Sequence, residues 1–239
     1  RALLPVGLPK LDMAEMAFRY EPNMRVGGDF FDVLYDSERG LLGLVMGDVS
    51  GHGMPAALLA SMTKVSLQSW RHTLHSPAWT LSMICDALLG KLSSHFLSVC
   101  VCCLDLATGR LICSSAGHPE PLLTRGAFGI EIVNVRGRVI ADAFGPCIYA
   151  ERTMTLRSGD GIVLYTDGVI EARNGSGEIF GEERLQGALL RLGGNDPRSI
   201  CDNIFAMVRG HADSPGGIDD DFTMLVVKYT GQSGRTRDA

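Results

Sequence analysis

The sequence predicts an α+β fold in which two antiparallel β-sheets pack face to face and helices cover their outer faces. The first observation behind this prediction is the order of elements: strands, two helices, more strands, further helices and a last strand. The second is a hairpin signature, because Ala107, Thr108 and Gly109 separate two strand-like runs. The third is that 239 residues with 46% apolar content show no break in composition, which indicates one domain.

The first part of the chain is predicted to form a strand meander and then two helices. Pro55 suits the first turn of a helix, where its missing N–H costs nothing, so a helix should run from 54 to about 74. Pro77 begins a second helix that should reach about residue 95. The predicted strands before them are 14–20, 29–35 and 41–46, with a turn at 36–40.

The helix from residue 54 should be substantially buried, because apolar residues occur on most of its faces. These residues are Leu58, Leu59, Met62, Val65 and Trp70.

The rest of the chain is predicted to contain mostly strands, two helices and a closing strand. Residues 231–239 are polar and basic and are expected to be disordered. The predicted strands are 97–106, 110–115, 121–124, 130–135, 152–156, 161–165 and 222–229, and the predicted helices are 182–192 and 197–208.

Composition and charge exclude several classes of function. The net charge is −5 and lysine and arginine form no basic stripe, which argues against nucleic acid as a partner. No apolar run approaches the roughly 20 residues that a membrane span needs. Three of the seven cysteines, Cys100, Cys102 and Cys103, occur in one strand-like run, and we expect buried thiols in a reducing, cytoplasmic compartment. His72 and His75 lack further ligands at zinc spacing.

Aspartates at the ends of predicted strands are the candidate chemistry of this chain. Asp29, Asp48, Asp167 and the run 219–221 each lie beside an apolar strand-like segment. Gathered carboxylates cannot all stay ionised without a compensating cation, and all-oxygen sites suit magnesium, manganese or calcium better than zinc. Each aspartate alone would be read as a turn residue, but four in this arrangement favour a metal site.

Two other enzyme classes do not fit the glycine-rich stretch around Asp48. A serine hydrolase needs Gly-x-Ser-x-Gly, whereas Ser50 lies one place out of that pattern. A phosphate-binding P-loop needs Lys followed by Ser or Thr after its last glycine, and Met54 and Pro55 occur there instead.

Five stretches of the sequence together resemble a known family. They are 27–32 (Gly-Gly-Asp-Phe-Phe-Asp), 47–58 (Gly-Asp-Val-Ser-Gly-His-Gly-Met-Pro-Ala-Ala-Leu), 116–119 (Ala-Gly-His-Pro), 165–172 (Tyr-Thr-Asp-Gly-Val-Ile-Glu-Ala) and 220–225 (Asp-Asp-Phe-Thr-Met-Leu). In this order they resemble the bacterial branch of the PPM (type 2C) metal-dependent serine/threonine protein phosphatases. That branch includes the sporulation stage II protein E and the phosphatases that regulate the stress sigma factor.

The resemblance implies a four-layer α-β-β-α sandwich with two divalent cations, Mn²⁺ or Mg²⁺, at one end. Asp48 would bridge both ions, and Asp167 and Asp220 would complete the first site. Asp29 and the backbone carbonyl of Val49 would complete the second. Asp221 is expected to support these ligands as a neighbouring acceptor.

Two positions depart from the pattern of the eukaryotic type 2C enzymes. The histidine two residues after the bridging aspartate, thought to be their general acid, is replaced here by Ser50. His52 is therefore a candidate general acid or a residue that packs the loop. Their phosphate-binding arginine has no clear counterpart, although Arg25 is close in sequence. Phosphate binding would then depend on the metals and on N–H groups at the helix N-terminus after Gly53.

The function implied by the resemblance is hydrolysis of phosphoserine or phosphothreonine on a protein, of the anti-anti-sigma type, in a partner-switching pathway. The alternative is a phosphatase-fold adaptor that binds and sequesters a regulatory protein without turnover. Residues 1–230 would form the phosphatase domain. An upstream sensory or receiver domain in cis, and a homodimer formed through the upstream segment, are further expectations.

Overall fold

Two antiparallel sheets and their covering helices make up the part of the chain that the computed structural model describes. The described residues are 5, 7–23, 27–69, 71–126, 129–212 and 218–231. The tail expected to be disordered lies outside them beyond Gly231, as do Arg25 and Trp70. Within this part of the chain, no helix combines the length and the apolar character needed to cross a bilayer.

The strands pair into two sheets, and every ladder is antiparallel. The first sheet has the order β1 (Ala14–Glu21), β11 (Phe222–Tyr229), β10 (Gly161–Tyr165), β6 (Leu122–Thr124) and β7 (Ile130–Ile132). The second has the order β2 (Phe30–Asp36), β3 (Leu41–Val49), β4 (Phe96–Asp105), β5 (Arg110–Ala116) and β9 (Arg152–Thr155), and the two-residue β8 (Ile140–Ala141) pairs with β4.

Helices cover the outer face of each sheet. On the second sheet lie α1 (Met54–Ser69) and α2 (Pro77–Leu88), with a 3₁₀ turn at Arg71–Thr73 after α1. On the first sheet lie α3 (Asp167–Ile170), α4 (Gly181–Leu192) and α5 (Pro197–Ala212). A second 3₁₀ turn, Asp142–Phe144, follows β8.

Three apolar layers follow from the alternation of side chains along the strands. In β2, Phe31 and Val33 point between the sheets, whereas Phe30 and Leu34 point toward α1 and α2. A third layer lies between the first sheet and α3, α4 and α5. The predicted sandwich of two antiparallel sheets flanked by helices is therefore confirmed.

The predicted burial of α1 is wrong for one of its faces. Leu59 is buried against the second sheet, but Met54, Leu58 and Val65 are 73%, 60% and 69% exposed. The reason is that α1 packs mainly against its own sheet and α2, and these neighbours cover one side of the helix.

Both long helices of the first half are shorter than predicted. The α-helix α1 ends at Ser69 rather than near residue 74. The next helix, α2, ends at Leu88 rather than near residue 95, because Gly90 adopts a left-handed φ of 77° that ends a helix. The short elements β8 and α3 have no counterpart in the prediction, since they are too short to produce a periodic pattern.

Candidate metal centre

Neighbouring strands of the second sheet deliver two of the predicted acids side by side. Phe30 of β2 pairs with Gly47 of β3. Asp29 and Asp48 are the next residues along the two strands in that direction. Asp29 is buried and Asp48 is half-buried. The pairing register therefore brings these two carboxylates to one end of the sheet.

The first sheet delivers the other acids in the same way. Asp167 follows β10 after a single residue and begins α3, and Asp220 and Asp221 directly precede β11. Because β10 and β11 are paired antiparallel, with Tyr165 opposite Met224, these acids meet at one end of their sheet. The negative charges of Asp167 and Asp220 lie close enough to Asp48 to raise its pKa. The two sheets therefore place their acids at the same end of the sandwich.

Two buried threonines, Thr166 just after β10 and Thr223 in β11, hold the carboxylate of Asp29. Thr166 Oγ1 donates a hydrogen bond of 2.8 Å to Asp29 Oδ2, and Thr223 Oγ1 donates to the same oxygen. Both threonines are fully buried. Asp29 precedes β2 of the second sheet, so these hydrogen bonds cross from one sheet to the other. They fix the orientation of the carboxylate.

Burial and mutual repulsion raise the pKa values of the clustered carboxyl groups. The pKa of Asp29 lies well above its ordinary value because of burial and the nearby charge of Asp48. Burial, followed by the charges of Asp167 and Asp220, raises the pKa of Asp48 to about 7. Burial and the charge of Asp220 raise the pKa of Asp167 to about 6. The cluster therefore resists full ionisation unless a cation compensates it.

A missing side chain at Gly28 lets the end of β3 approach the segment before β2 closely. A Cβ at this position would lie 2.4 Å from the Val49 carbonyl oxygen and 2.8 Å from Asp48 Oδ1. The Val49 N–H also donates to the Gly28 carbonyl at 3.3 Å. The Val49 carbonyl, predicted as a ligand, thus lies beside the Asp48 carboxylate where only glycine fits.

Two cavities meet at the acids. The smaller has a volume of about 270 Å³ and the larger about 610 Å³, and Asp48 and Asp220 line both. Asp221 and His52 line the smaller cavity, and Asp167 lines the larger. Most of the predicted acids therefore line these two cavities at one end of the sandwich, whereas the buried Asp29 lines neither.

The donors around these cavities suit a hard divalent ion. They are carboxylate oxygens and a backbone carbonyl, the set that magnesium and manganese prefer. Among the described residues, no three or more His, Cys, Asp or Glu side chains are already drawn together at the spacing of a metal shell. The fit to an ion thus depends on the donor chemistry, the shared cavities and the uncompensated negative charge.

The remaining predicted residues have different surroundings. His52 is exposed in the loop after β3. Gly53 ends that loop with a left-handed φ of 84°, and its carbonyl accepts the first hydrogen bond of α1 at 3.1 Å. Asp221 is buried and accepts a hydrogen bond of 2.9 Å from the Asn23 backbone, which ties the segment before β2 to the acids. Arg25 lies outside the described residues.

The larger cavity contains residues to which the sequence prediction gave no role. His118 is buried, its Nδ1 lies 2.9 Å from Ser98 Oγ, and burial lowers its pKa to about 3. Glu120 forms an ion pair of 2.8 Å with the exposed Arg136, and both line the cavity with Asp48. The motif at 116–119 contained a signal for His118, whereas only the folded chain brings Arg136 beside the acids.

Comparison with known families identifies the domain. The sequence profile of the family described as Stage II sporulation protein E (SpoIIE) matches residues 38–230. The chain belongs to the SpoIIE family. This result confirms the resemblance found in the sequence motifs and, with it, a domain of the protein-phosphatase type.

This SpoIIE-family domain has relatives in several bacteria. It is 27% identical over 258 residues to Protein IcfG of Synechocystis sp., covering 94% of this chain and 39% of IcfG. It is 24% identical over 230 residues to phosphoserine phosphatase RsbU of Bacillus subtilis, covering 95% and 67%. The solved RsbU and RsbW domains of a Mycobacterium tuberculosis protein match with a TM-score of 0.79 and 25% identity, covering 97% and 64%. The chain thus spans about two fifths of IcfG.

Replacing Thr223 by valine in this SpoIIE-family domain is expected to weaken manganese binding about tenfold. Valine keeps the shape of threonine but removes one of the two hydroxyl donors to Asp29 Oδ2, so the ionised carboxylate loses stabilisation. Calorimetric titration with Mn²⁺ measures the effect. Thr153→Val, on the exposed face of β9, is the control and should bind manganese as the wild type does. Equal affinities in the two variants would contradict the role given to Thr223.

Proposed function

We propose that this domain hydrolyses phosphoserine or phosphothreonine on a protein, with two divalent cations, Mn²⁺ or Mg²⁺, as cofactors. The observation that carries the proposal is the meeting of Asp29, Asp48, Asp167 and Asp220 at one end of the sandwich. The raised pKa values of Asp29, Asp48 and Asp167 mean that the negative charge of the cluster lacks compensation. Divalent ions in such a site supply charge neutralisation at the phosphoryl group and an activated water.

Each acid has a distinct part in the proposed ligand set. Asp48 lines both cavities, which suits the bridging position between two ions. Asp167 and Asp220 would complete one site with it. Asp29, oriented by its two threonine donors, and the Val49 carbonyl would complete the other.

Residues around the acids would bind the substrate and move its protons. His52, exposed at the smaller cavity, could donate a proton to the departing serine or threonine oxygen. Arg136, exposed at the larger cavity and held by Glu120, offers further N–H donors to an anionic segment of the substrate protein. Neutral His118 lines the same cavity behind them and orients Ser98.

The proposed substrate is a small regulatory protein of the anti-anti-sigma type, phosphorylated on one serine or threonine. Support comes from the relatives, since RsbU is named a phosphoserine phosphatase and the mycobacterial structure joins an RsbU domain to an RsbW domain. If phosphorylated proteins of this type from the same organism stay phosphorylated while an aryl phosphate is hydrolysed, this substrate class is wrong.

A catalytically weak adaptor that binds and sequesters a regulatory protein is the second candidate. A domain that abandoned catalysis would have no need to retain a full ligand set. All the acids required for turnover occur here, and Asp48, Asp167 and Asp220 line the two cavities. The enzyme is therefore favoured.

A metal add-back assay tests the proposed function. The domain, stripped of metal with a chelator, should show no turnover of an aryl phosphate, and adding Mn²⁺ or Mg²⁺ should restore it. Zn²⁺, which prefers nitrogen and sulfur ligands, should restore less. Undiminished turnover in excess chelator would refute the metal mechanism. No turnover with any divalent ion, in protein that still binds its phosphorylated partner, would favour the adaptor.

A further inference from the structure

The segment 142–151 lies along the whole length of α2, and we call it the α2 strap. At one end, Asp142 Oδ1 accepts a hydrogen bond of 2.7 Å from the Gly90 backbone, just after the helix. At the other end, Glu151 Oε1 accepts one of 2.9 Å from the Ala78 backbone, in the first turn of the helix. The strap therefore runs antiparallel to α2 and is attached at both of its ends.

The middle of the α2 strap brings two thiols together. Ser82 of α2 donates a hydrogen bond of 3.3 Å to the Cys147 carbonyl. Cys85 of α2 and Cys147 of the strap both direct their sulfur atoms at one oxygen, the Gly145 carbonyl, at 3.7 Å and 3.5 Å. Because both sulfurs contact the same atom, their separation is bounded by the sum of two hydrogen-bond lengths. Side-chain rotation and a small shift of the strap can close such a gap to a disulfide.

Partial exposure of one of its thiols to solvent distinguishes this pair from the other cysteines. All seven cysteines lie in the described part of the chain and are free thiols, and only Cys147 among them is not fully buried. The sulfurs of Cys100 and Cys102 are 3.8 Å apart, yet both residues have no exposed surface and lie on one strand. A dissolved oxidant can therefore reach Cys147, whereas it cannot reach Cys100 or Cys102 in the folded domain.

We propose that Cys85 and Cys147 form a reversible disulfide when a hydroperoxide oxidises the domain. The Cys147 thiolate attacks one oxygen of hydrogen peroxide, the O–O bond breaks, and a sulfenic acid and one water form. The Cys85 thiol sulfur then attacks the sulfenic sulfur, the S–O bond breaks, and the second water leaves with the thiol proton. The two thiols lose two electrons, which reduce one peroxide to two waters. A dithiol reductant reverses the modification.

The disulfide would join the middle of α2 covalently to the strap. It closes a long loop that contains β4, β5, β6, β7 and β8, so it restricts the unfolded chain strongly. The oxidised domain should therefore unfold at a temperature higher by on the order of 5 °C. The acids around Asp48 take no part in the modification, so the metal requirement should not change.

Peptide mapping tests the proposal. The metal-loaded domain is treated with hydrogen peroxide in small excess, blocked with an alkylating reagent and digested without reduction. We expect a peptide pair linked through Cys85 and Cys147, which disappears on treatment with dithiothreitol. Cys147→Ser should abolish both this pair and the rise in the unfolding temperature. Cys85→Ser should instead leave a sulfenic acid on Cys147 that dimedone traps.

Other outcomes would overturn the proposal. A stable sulfenic or sulfinic acid on Cys147 in the wild-type domain would mean that Cys85 does not reach it. A disulfide between two molecules through Cys147 would mean that its thiol reacts with a second molecule more readily than with Cys85. Linkage of Cys100 to Cys102 first would mean that proximity, rather than access, decides which cysteines react.

Discussion

Asp48→Asn should abolish metal-dependent phosphatase activity, with a fall in turnover of at least about 100-fold. Asp48 lines both cavities, and the nearby negative charges of Asp167 and Asp220 raise its pKa. Asparagine keeps the shape of the side chain but removes the charge shared between the two proposed ions, so affinity and rate should fall together. Turnover of an aryl phosphate at increasing Mn²⁺, with calorimetric metal binding, measures both effects.

Asp167→Asn is also expected to lower turnover and metal affinity, since Asp167 belongs to the same charged cluster. Asp86→Asn is the matched control, because it removes one carboxylate from the exposed side of α2 and should leave turnover unchanged. Wild-type turnover of Asp48→Asn at limiting Mn²⁺ would contradict a bridging role for Asp48.

Gly28→Ala should reduce turnover about 100-fold in a domain that still folds. The added methyl group would overlap the Val49 carbonyl oxygen at 2.4 Å and Asp48 Oδ1 at 2.8 Å, so both proposed ligands must move away from residue 28. A displacement of that size at a reacting centre is costly because ligand positions set both metal binding and substrate alignment. Steady-state kinetics and circular dichroism together separate a damaged site from a damaged fold.

Gly175→Ala is the control for Gly28→Ala. A Cβ at Gly175 would meet no atom within 4 Å, so this variant should keep wild-type turnover and stability. A fully active Gly28→Ala would mean that the Val49 carbonyl and the Asp48 carboxylate can shift without loss of turnover, which would remove the carbonyl from the ligand set.

Regular strands with clear alternation and turn signals were predictable from the sequence. The strand pair β10 and β11 has the predicted bounds, because its apolar runs begin and end beside glycine and aspartate. The exposed face of α1 was not predictable. Apolar residues on most faces of a helix do not show which face its neighbours will cover, and the packing of α2 and the second sheet decides that.

Within the candidate site, the positions of the acids were predictable from the sequence, but the residues that donate hydrogen bonds to them were not. Asp29, Asp48, Asp167 and Asp220 occur in motifs at strand ends, and the structure brings them together. Thr166 and Thr223 reach Asp29 from sequence positions far away, through pairing between strands. The sequence did contain an indication that these threonines belong to the site, because each lies close in sequence to a predicted acid.

The hydrogen bonds of Asp29 have a consequence for how such domains diverge. Asp29 links the second sheet to Thr166 and Thr223 of the first, so it supports the packing of the sandwich whether or not a metal binds. At exposed Asp220, a descendant that lost catalysis would lose one local hydrogen bond from the Asp221 N–H. The loss of Asp29 would instead remove two buried hydrogen bonds that join the sheets and so would lower stability. We therefore expect Asp29 to persist in inactive relatives, where Asp220 is the position whose loss marks the end of catalysis.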